Sequence, residues 1–183
     1  MDDQSFNLRL VSGDEAAFDT FFSAHWKPLV RTIVRLIGPH NQDEAEDLAQ
    51  KAFITLARLR WELDPNQSIR AWLYRVALNS AKNQLRTWGR ERLRLGRFRA
   101  EHSEHEVSDD PEESESIGQL LAAIDQLPEQ HRAILILVHG EGLPLAEVAQ
   151  ICELTLPATR QRLHRARNAL RKLVGQTERS AKA

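Results

Sequence analysis

One stretch of the chain, residues 101–116 (EHSEHEVSDDPEESES), has too little apolar surface to join a folded core. It contains eight acids between Glu101 and Glu115 and a single aliphatic residue, Val107. Such a segment cannot bury enough surface to offset the entropy that ordering costs, so we predict a flexible acidic linker. The 183-residue chain therefore folds as two small parts, one on each side of it.

On both sides of this linker the apolar residues recur with the period of an α-helix. Residues 29–37 are an example before it, and residues 117–127 are an example after it. No alternation typical of a β-strand persists. Gly38-Pro39 and residues 64–66 (DPN) predict turns, because proline cannot continue a helix and asparagine tolerates turn geometry. We expect an all-α protein, with roughly three or four helices before residue 90 and about four after the linker.

Residues 143–163 have the pattern of a helix-turn-helix. The apolar face of its first helix consists of residues spaced i, i+3, i+4 and i+7, namely Leu145, Val148, Ala149 and Cys152. Glu153 and Leu154 make a short turn. Thr155 then suits a helix cap and Pro157 suits the first turn of the second helix. The second helix is predicted to be free to enter a DNA major groove.

The second helix of this unit concentrates positive charge. Residues 155–172 hold six Arg or Lys and no acid, although the formal net charge of the chain is only -1. Most of these residues are arginine, whose guanidinium donates paired hydrogen bonds to phosphate or to a guanine edge. The coincidence of cap, turn, apolar spacing and basic face favours DNA binding over an ordinary solvated basic surface.

Composition argues against several other classes of protein. Cys152 is the single cysteine, and the seven histidines are scattered. We find no HExxH motif, no phosphate-binding glycine loop and no plausible pair of nucleophile and base, so we expect no cofactor, no metal and no enzymatic activity. The acidic start MDDQSFNLRL lacks the apolar core of a signal peptide, and no apolar run approaches the roughly 20 residues of a membrane span. These features predict a cytoplasmic protein without membrane insertion.

Several ordered motifs along the chain match one known family. They are GDEAAFDTFF, EAEDLAQKAF, SIRAWLYRVALNSAKNQLR, LPEQHRAILILVHGEGLPLAEVAQ and the basic helix. With these motifs the chain resembles the extracytoplasmic-function (ECF) class of bacterial RNA polymerase sigma factors, of the sigma-70 family. The resemblance implies a region 2 domain at about residues 6–95, a linker at 96–115 and a region 4 domain at about 116–176. It also implies an alternative sigma factor that binds core RNA polymerase and directs promoter-specific initiation.

The resemblance assigns three sets of functional residues. The -35 element would be bound by Arg160, Gln161, Arg162, His164, Arg165 and Arg167. The opened strand of the -10 element would be bound by Asn66, Gln67, Asn79, Lys82, Asn83 and Arg86. Core polymerase would be bound by Glu46, Asp47 and Gln50, which lie within about a turn of one another on a helix and suit a basic helical partner.

The family also implies the partners of these surfaces. They are the clamp coiled coil of the largest polymerase subunit, the beta flap, promoter DNA and an anti-sigma factor. The linker would pass through the active-site cleft of the polymerase, where its acids would mimic RNA. A conventional helix-turn-helix repressor or activator is the alternative interpretation, and it would require a dimer surface or a ligand pocket.

Overall fold

The computed structural model of the chain describes residues 3–94, 120 and 122–181, and these ranges contain helices and turns but no strand. The predicted linker at 96–115 lies outside the described residues. The helices are α1 (Asp3–Val11), α2 (Glu15–Ile37), α3 (Gln42–Leu59), α4 (Ile69–Arg94), α5 (Glu129–Leu135), α6 (Leu145–Ile151) and α7 (Leu156–Ala181). The predicted all-α class is confirmed.

The first domain is a bundle of α1, α2, α3 and α4. Asp14 begins α2 as its N-cap, because its Oδ1 accepts a hydrogen bond from the backbone N–H of Ala17 at 3.0 Å. Arg9 donates to the other carboxylate oxygen at 2.7 Å, and this contact lowers the pKa of Asp14. Gly38 ends α2 with a φ of 101°, which a residue with a side chain rarely adopts. The core between these helices includes Leu36, Phe53 and Tyr74.

The second domain contains helical residues 122–125 followed by α5, α6 and α7. The pattern predicted one regular helix from Pro128 through Val138, but the helix widens after Leu135 into a π turn at Ile136–Gly140. There the backbone N–H of Glu141 donates to the carbonyl of Ile136 at 2.9 Å. The wider turn buries Leu137 completely.

α7 extends further than the predicted end of the domain at residue 176. It runs through Ala181, because Gly175 is followed by residues with good helix propensity and by no proline.

The two domains pack directly against each other. α4 packs on α6, and α2 packs on α5 and on the π turn. Buried residues of both domains form one contiguous core. Arg132 joins the two domains through a hydrogen bond from Nη1 to the carbonyl of Leu36 at 3.0 Å, and burial lowers the pKa of its guanidinium. We call this arrangement the closed conformation.

Within the described ranges, none of the helices combines the length and the apolar character that crossing a membrane would require.

Candidate nucleic-acid interface

The predicted helix-turn-helix is present, formed by α6, a tight turn and α7. Glu153 in the turn has a φ of 54°, and the backbone N–H of Leu154 donates to the carbonyl of Ala149 at 2.9 Å. Thr155 caps α7, because its hydroxyl oxygen accepts from the backbone N–H of Ala158 at 3.3 Å. Local contacts therefore set the angle between the two helices.

The buried side of α7 is held by Thr159, Leu163 and Ala166, which are at most 5% exposed. The opposite side is polar and faces solvent. The exposed members of the predicted -35 set are Arg160, Gln161, His164, Arg165 and Arg167. This burial pattern leaves one continuous basic face, as an approach to a duplex requires.

Two members of the -35 set have neighbours that shape their position. Arg162 is half-buried, and its charge acts on the thiol of Cys152, whose pKa burial raises. Arg167 lies with its Nε 3.3 Å from Nε2 of His139. Arg162 and Arg167 therefore lie at the edges of the exposed basic face.

The predicted strand-binding residues of α4 form a stripe along that helix. Asn79, Lys82 and Arg86 recur at i, i+3 and i+7, so they share one face. Asn79, Asn83 and Arg86 are exposed, and Lys82 is half-buried. Before the stripe, Tyr74 belongs to the core and Trp72 packs against it.

The loop of residues 64–68 carries the other two predicted strand-binding residues, Asn66 and Gln67, and both are exposed. The carboxylate of Asp64 accepts from the backbone N–H and from the side-chain amide of Asn66, each at 2.9 Å. The loop is therefore braced from within by an Asx turn.

α1 braces the same loop from outside, and the sequence patterns did not predict this. Asn7 donates through Nδ2 to the carbonyls of Pro65 and Gln67, at 3.3 and 3.2 Å. Gln4 donates to Oδ1 of Asn66 at 2.5 Å. The only sequence signal was a pair of amides three residues apart on one helix face.

A cleft of about 790 Å³ opens between α1, the loop, α2 and α6. Its polar lining includes Asn7, Gln67, His25, Arg70 and, from the second domain, Gln150. Burial lowers the pKa of His25; the charge of Arg70 lowers it further, and Glu147 partly opposes this. The imidazole ring packs edge-on against Phe21 at 4.4 Å between ring centroids.

The predicted polymerase-binding residues of α3, Glu46, Asp47 and Gln50, are all exposed. Gln42 donates to Glu46 at 2.7 Å, which orients that carboxylate. One turn after Gln50, Ile54 is 50% exposed. The surface thus combines an apolar side chain with acidic neighbours.

Ion pairs across the domain boundary are the largest feature that the patterns missed. Glu141 is bound by two arginines of α2: Arg31 donates to its two oxygens at 3.2 and 2.8 Å, and Arg35 donates to Oε1 at 3.1 Å. The side chain of Glu141 is only 4% exposed. The uneven charge along the sequence was the only available signal.

A second group of ion pairs joins α4 to the helix-turn-helix. Arg70 donates to Glu147 through Nε at 2.6 Å and through Nη2, and Ser68 also donates to this carboxylate, at 3.2 Å. Glu153 lies 3.7 Å from Arg75. The acidic side chains of the helix-turn-helix therefore face the first domain.

Comparison with known proteins agrees with this architecture. Residues 22–91 match the family described as Sigma-70 region 2, and residues 117–170 match Sigma-70, region 4. The RNA polymerase sigma-H factor of Pseudomonas aeruginosa is 34% identical over 181 residues, covering 93% of this chain and 92% of that protein. The ECF RNA polymerase sigma factor SigE of Mycolicibacterium smegmatis is 32% identical, covering 88% of this chain and 64% of its own.

Two solved structures share the fold. The sigma factor RpoE from Bartonella quintana, in complex with the anti-sigma factor NepR, aligns with a TM-score of 0.70 and 24% identity over 86% of this chain and 96% of that chain. CnrH, in complex with the cytosolic domain of CnrY, aligns with a TM-score of 0.68 and 23% identity over 95% of this chain and 97% of that chain.

Two helical domains with a helix-turn-helix in the second define a helical DNA-binding protein. The sequence matches identify its kind: the chain belongs to the ECF class of the sigma-70 family. It is an alternative sigma factor that directs promoter-specific transcription initiation.

Proposed function

We propose that this sigma factor binds core RNA polymerase through α3, reads the -35 element with α7 and holds the opened -10 strand along α4 and the loop of residues 64–68. The observation that carries this proposal is the exposed basic face of α7 above a buried apolar side. A basic helix held in this way by a helix-turn-helix can enter a major groove.

On α7, Arg160, Gln161, His164 and Arg165 would contact base edges, as the family resemblance implies, and all four are exposed. Arg162 and Arg167 would contact phosphates. Phosphate contacts fix the register of the protein on the duplex, whereas contacts with base edges provide the sequence preference.

On the first domain, α4 and the loop would hold a single strand. The side-chain amides of Asn79 and Asn83 are exposed beside the cations of Lys82 and Arg86. Cations bind the strand backbone and amides can bond unpaired base edges. The amides of Asn66 and Gln67 at the cleft would receive a base turned out of the stack, as the family resemblance implies.

On α3, the acids and Ile54 would meet the clamp coiled coil of the largest polymerase subunit, and the second domain would meet the beta flap. An apolar residue surrounded by polar groups is the usual composition of a protein interface. The protein would have no enzymatic activity of its own. One protein that shares the fold, RpoE from Bartonella quintana, was solved in complex with an anti-sigma factor, and we infer that an anti-sigma factor also covers this one.

Transcription with purified core polymerase, followed by mapping of the start sites on genomic DNA, tests the proposal. The wild-type protein should co-elute with core polymerase and start RNA at defined sites. Glu46→Lys with Asp47→Lys should abolish co-elution, because the charge of the docking surface is reversed. Glu15→Lys with Glu62→Lys is the matched control, since both acids are exposed and neither belongs to the docking surface on α3.

Arg165→Ala tests the assignment of the recognition helix. If Arg165 reads a base, the preference for the -35 sequence should fall by about 1 to 3 kcal/mol. Arg171→Ala is the control, an exposed arginine further along α7. Equal weakening on all sequences would show that Arg165 only holds phosphate, and absence of initiation by the wild-type protein would favour the repressor alternative.

A further inference from the structure

The carboxylates of the helix-turn-helix lie against the helix that carries the proposed strand-binding stripe. Glu147 of α6 bonds to Arg70 and Ser68, and Glu153 of the turn lies 3.7 Å from Arg75. The side chain of Glu147 is 10% exposed, whereas that of Arg70 is 39% exposed. The acid is thus deeply enclosed, and the arginine still reaches solvent.

Arg75 belongs to the same stripe as the proposed strand-binding residues. On α4, Arg75, Asn79, Lys82 and Arg86 recur at i, i+4, i+7 and i+11, which places them on one side of the helix. The stripe therefore begins one turn earlier than the family resemblance assigned. A strand backbone following this side of α4 would meet the guanidinium of Arg75 before it meets Asn79.

Arg70 belongs to the cleft at the loop of residues 64–68. It lines the cleft of about 790 Å³ together with Asn66 and Gln67. A neighbouring cleft of about 660 Å³ is lined by Arg75, Trp72 and, from the second domain, Glu153 and Thr155. Both clefts are lined by Gln67, Ser68 and Gln150, so they form one path along the domain boundary.

A carboxylate bound bidentately to arginine has the same chemistry as a phosphate bound to arginine, since both present two oxygens to the guanidinium fork. Lys82, further along the stripe, also acts electrostatically on Cys152 of the second domain. Side-chain contacts of the helix-turn-helix with this side of α4 lie at Arg70 and Arg75, while Asn79 and Asn83 remain exposed.

We propose that Arg70 and Arg75 bind phosphates of the opened strand, and that Glu147 and Glu153 occupy these arginines as internal competitors in the closed conformation. Single-stranded DNA and the second domain then compete for one path. This inference rests on the proposed function, because it extends the strand-binding surface of α4. The second domain must therefore move away from α4 before the strand can bind there.

Competition makes a prediction that a purely structural ion pair does not. Removing either partner of the Arg70–Glu147 pair weakens the contact between the domains: without Arg70 the enclosed carboxylate of Glu147 loses its guanidinium, and without Glu147 α6 loses its bidentate contact with α4. The Arg75–Glu153 pair contributes less, because Glu153 is 65% exposed. Only removal of the acids leaves the arginines available to phosphate. Substitution of the acids should therefore raise the affinity for the single strand, whereas substitution of the arginines should not.

The experiment uses the full-length protein and a short fluorescein-labelled oligodeoxythymidine, with binding followed by fluorescence anisotropy at several salt concentrations. Glu147→Gln with Glu153→Gln should bind about tenfold more tightly than the wild type, since the affinity of a mostly closed protein is reduced by its open fraction. The variant Arg70→Gln with Arg75→Gln should bind the oligonucleotide no more tightly than the wild type. The slope of its log binding constant against log salt concentration should decrease in magnitude by about 0.7 for each lost phosphate contact.

Glu141→Gln is the matched control for opening alone. It removes an equally enclosed interdomain acid but leaves every arginine of α4 in place. It should increase both the radius of gyration measured by small-angle scattering and the strand affinity. The exchanged pair Arg70→Glu with Glu147→Arg should close again and bind weakly, and circular dichroism verifies that each variant is folded.

Two results would overturn the inference. One is a change of affinity in the same direction for the acid and the arginine variants. The other is an unchanged affinity in the acid variant while scattering shows that it has opened. Transcription by the wild-type protein with core polymerase is measured in parallel. Failure there contradicts the proposed function, whereas initiation together with either result contradicts only the competition.

Discussion

The two proposed DNA surfaces differ in how they are held and how far they are covered. The basic face of α7 is open to solvent, and contacts within the second domain fix it. The stripe of α4 and the loop of residues 64–68 are braced by α1 and partly covered by α6. In the closed conformation α7 can meet a duplex, whereas the surface on α4 depends on other elements both for its shape and for access.

The largest change in stability should come from the buried side chains that pack α7 onto the second domain. Leu163 is 5% exposed, so Leu163→Ala should lower the free energy of unfolding by about 2 to 5 kcal/mol through lost burial and a new cavity. Urea denaturation measures the loss. Leu170→Ala, at a partly buried position of the same helix, should cost less. Equal costs at the two positions would show that α7 is not anchored mainly at Leu163.

A smaller effect is expected where α1 braces the loop. Asn7→Ala removes the two hydrogen bonds to the loop carbonyls and should cost about 1 kcal/mol. Permanganate footprinting should show reduced opening of the -10 region, while binding of -35 duplex DNA should remain unchanged. Gln126→Ala is the control, because its amide donates to the carbonyl of Ala122, four residues earlier and outside both α1 and the loop. If Asn7→Ala weakened binding of -35 duplex DNA as much as it reduced -10 opening, α1 would not act locally on the loop.

The smallest effect concerns His25 in the cleft beside Arg70 and Glu147. Its pKa is lowered mainly by burial and then by Arg70, so near pH 6 the unfolded chain binds a proton that the folded protein does not. Stability should therefore fall as the pH is lowered through the ordinary histidine pKa of about 6.5. His25→Gln should reduce the difference in melting temperature between pH 7.5 and 5.5. An unchanged difference would show that His25 does not contribute to it.

The helix-turn-helix could be predicted from the sequence because its determinants are close together in the chain. Thr155, Pro157 and the spacing of Leu163 and Ala166 lie within one helix and its cap. Helix capping and amphipathic spacing act over a few residues, so a single sequence contains them. The order of the helices in the first domain followed from the same short-range rules.

The closed conformation could not be predicted in this way. Arg70 and Glu147 are 77 residues apart, and Arg31 and Glu141 are 110 residues apart. The charges along the sequence do not select these pairs, because many pairings satisfy the same charges. The brace from Asn7 to Pro65 spans 58 residues and likewise depends on tertiary packing, as does the widening of the helix after Leu135.

The backbone of Glu153 has a consequence for how this chain can vary. A non-glycine residue at a φ of 54° carries a steric cost that glycine would avoid. Glu153→Gly would relax the turn but would also remove the carboxylate beside Arg75. Greater stability of the second domain and firmer attachment to the first therefore impose opposite demands on one position, and the glutamate present there serves attachment.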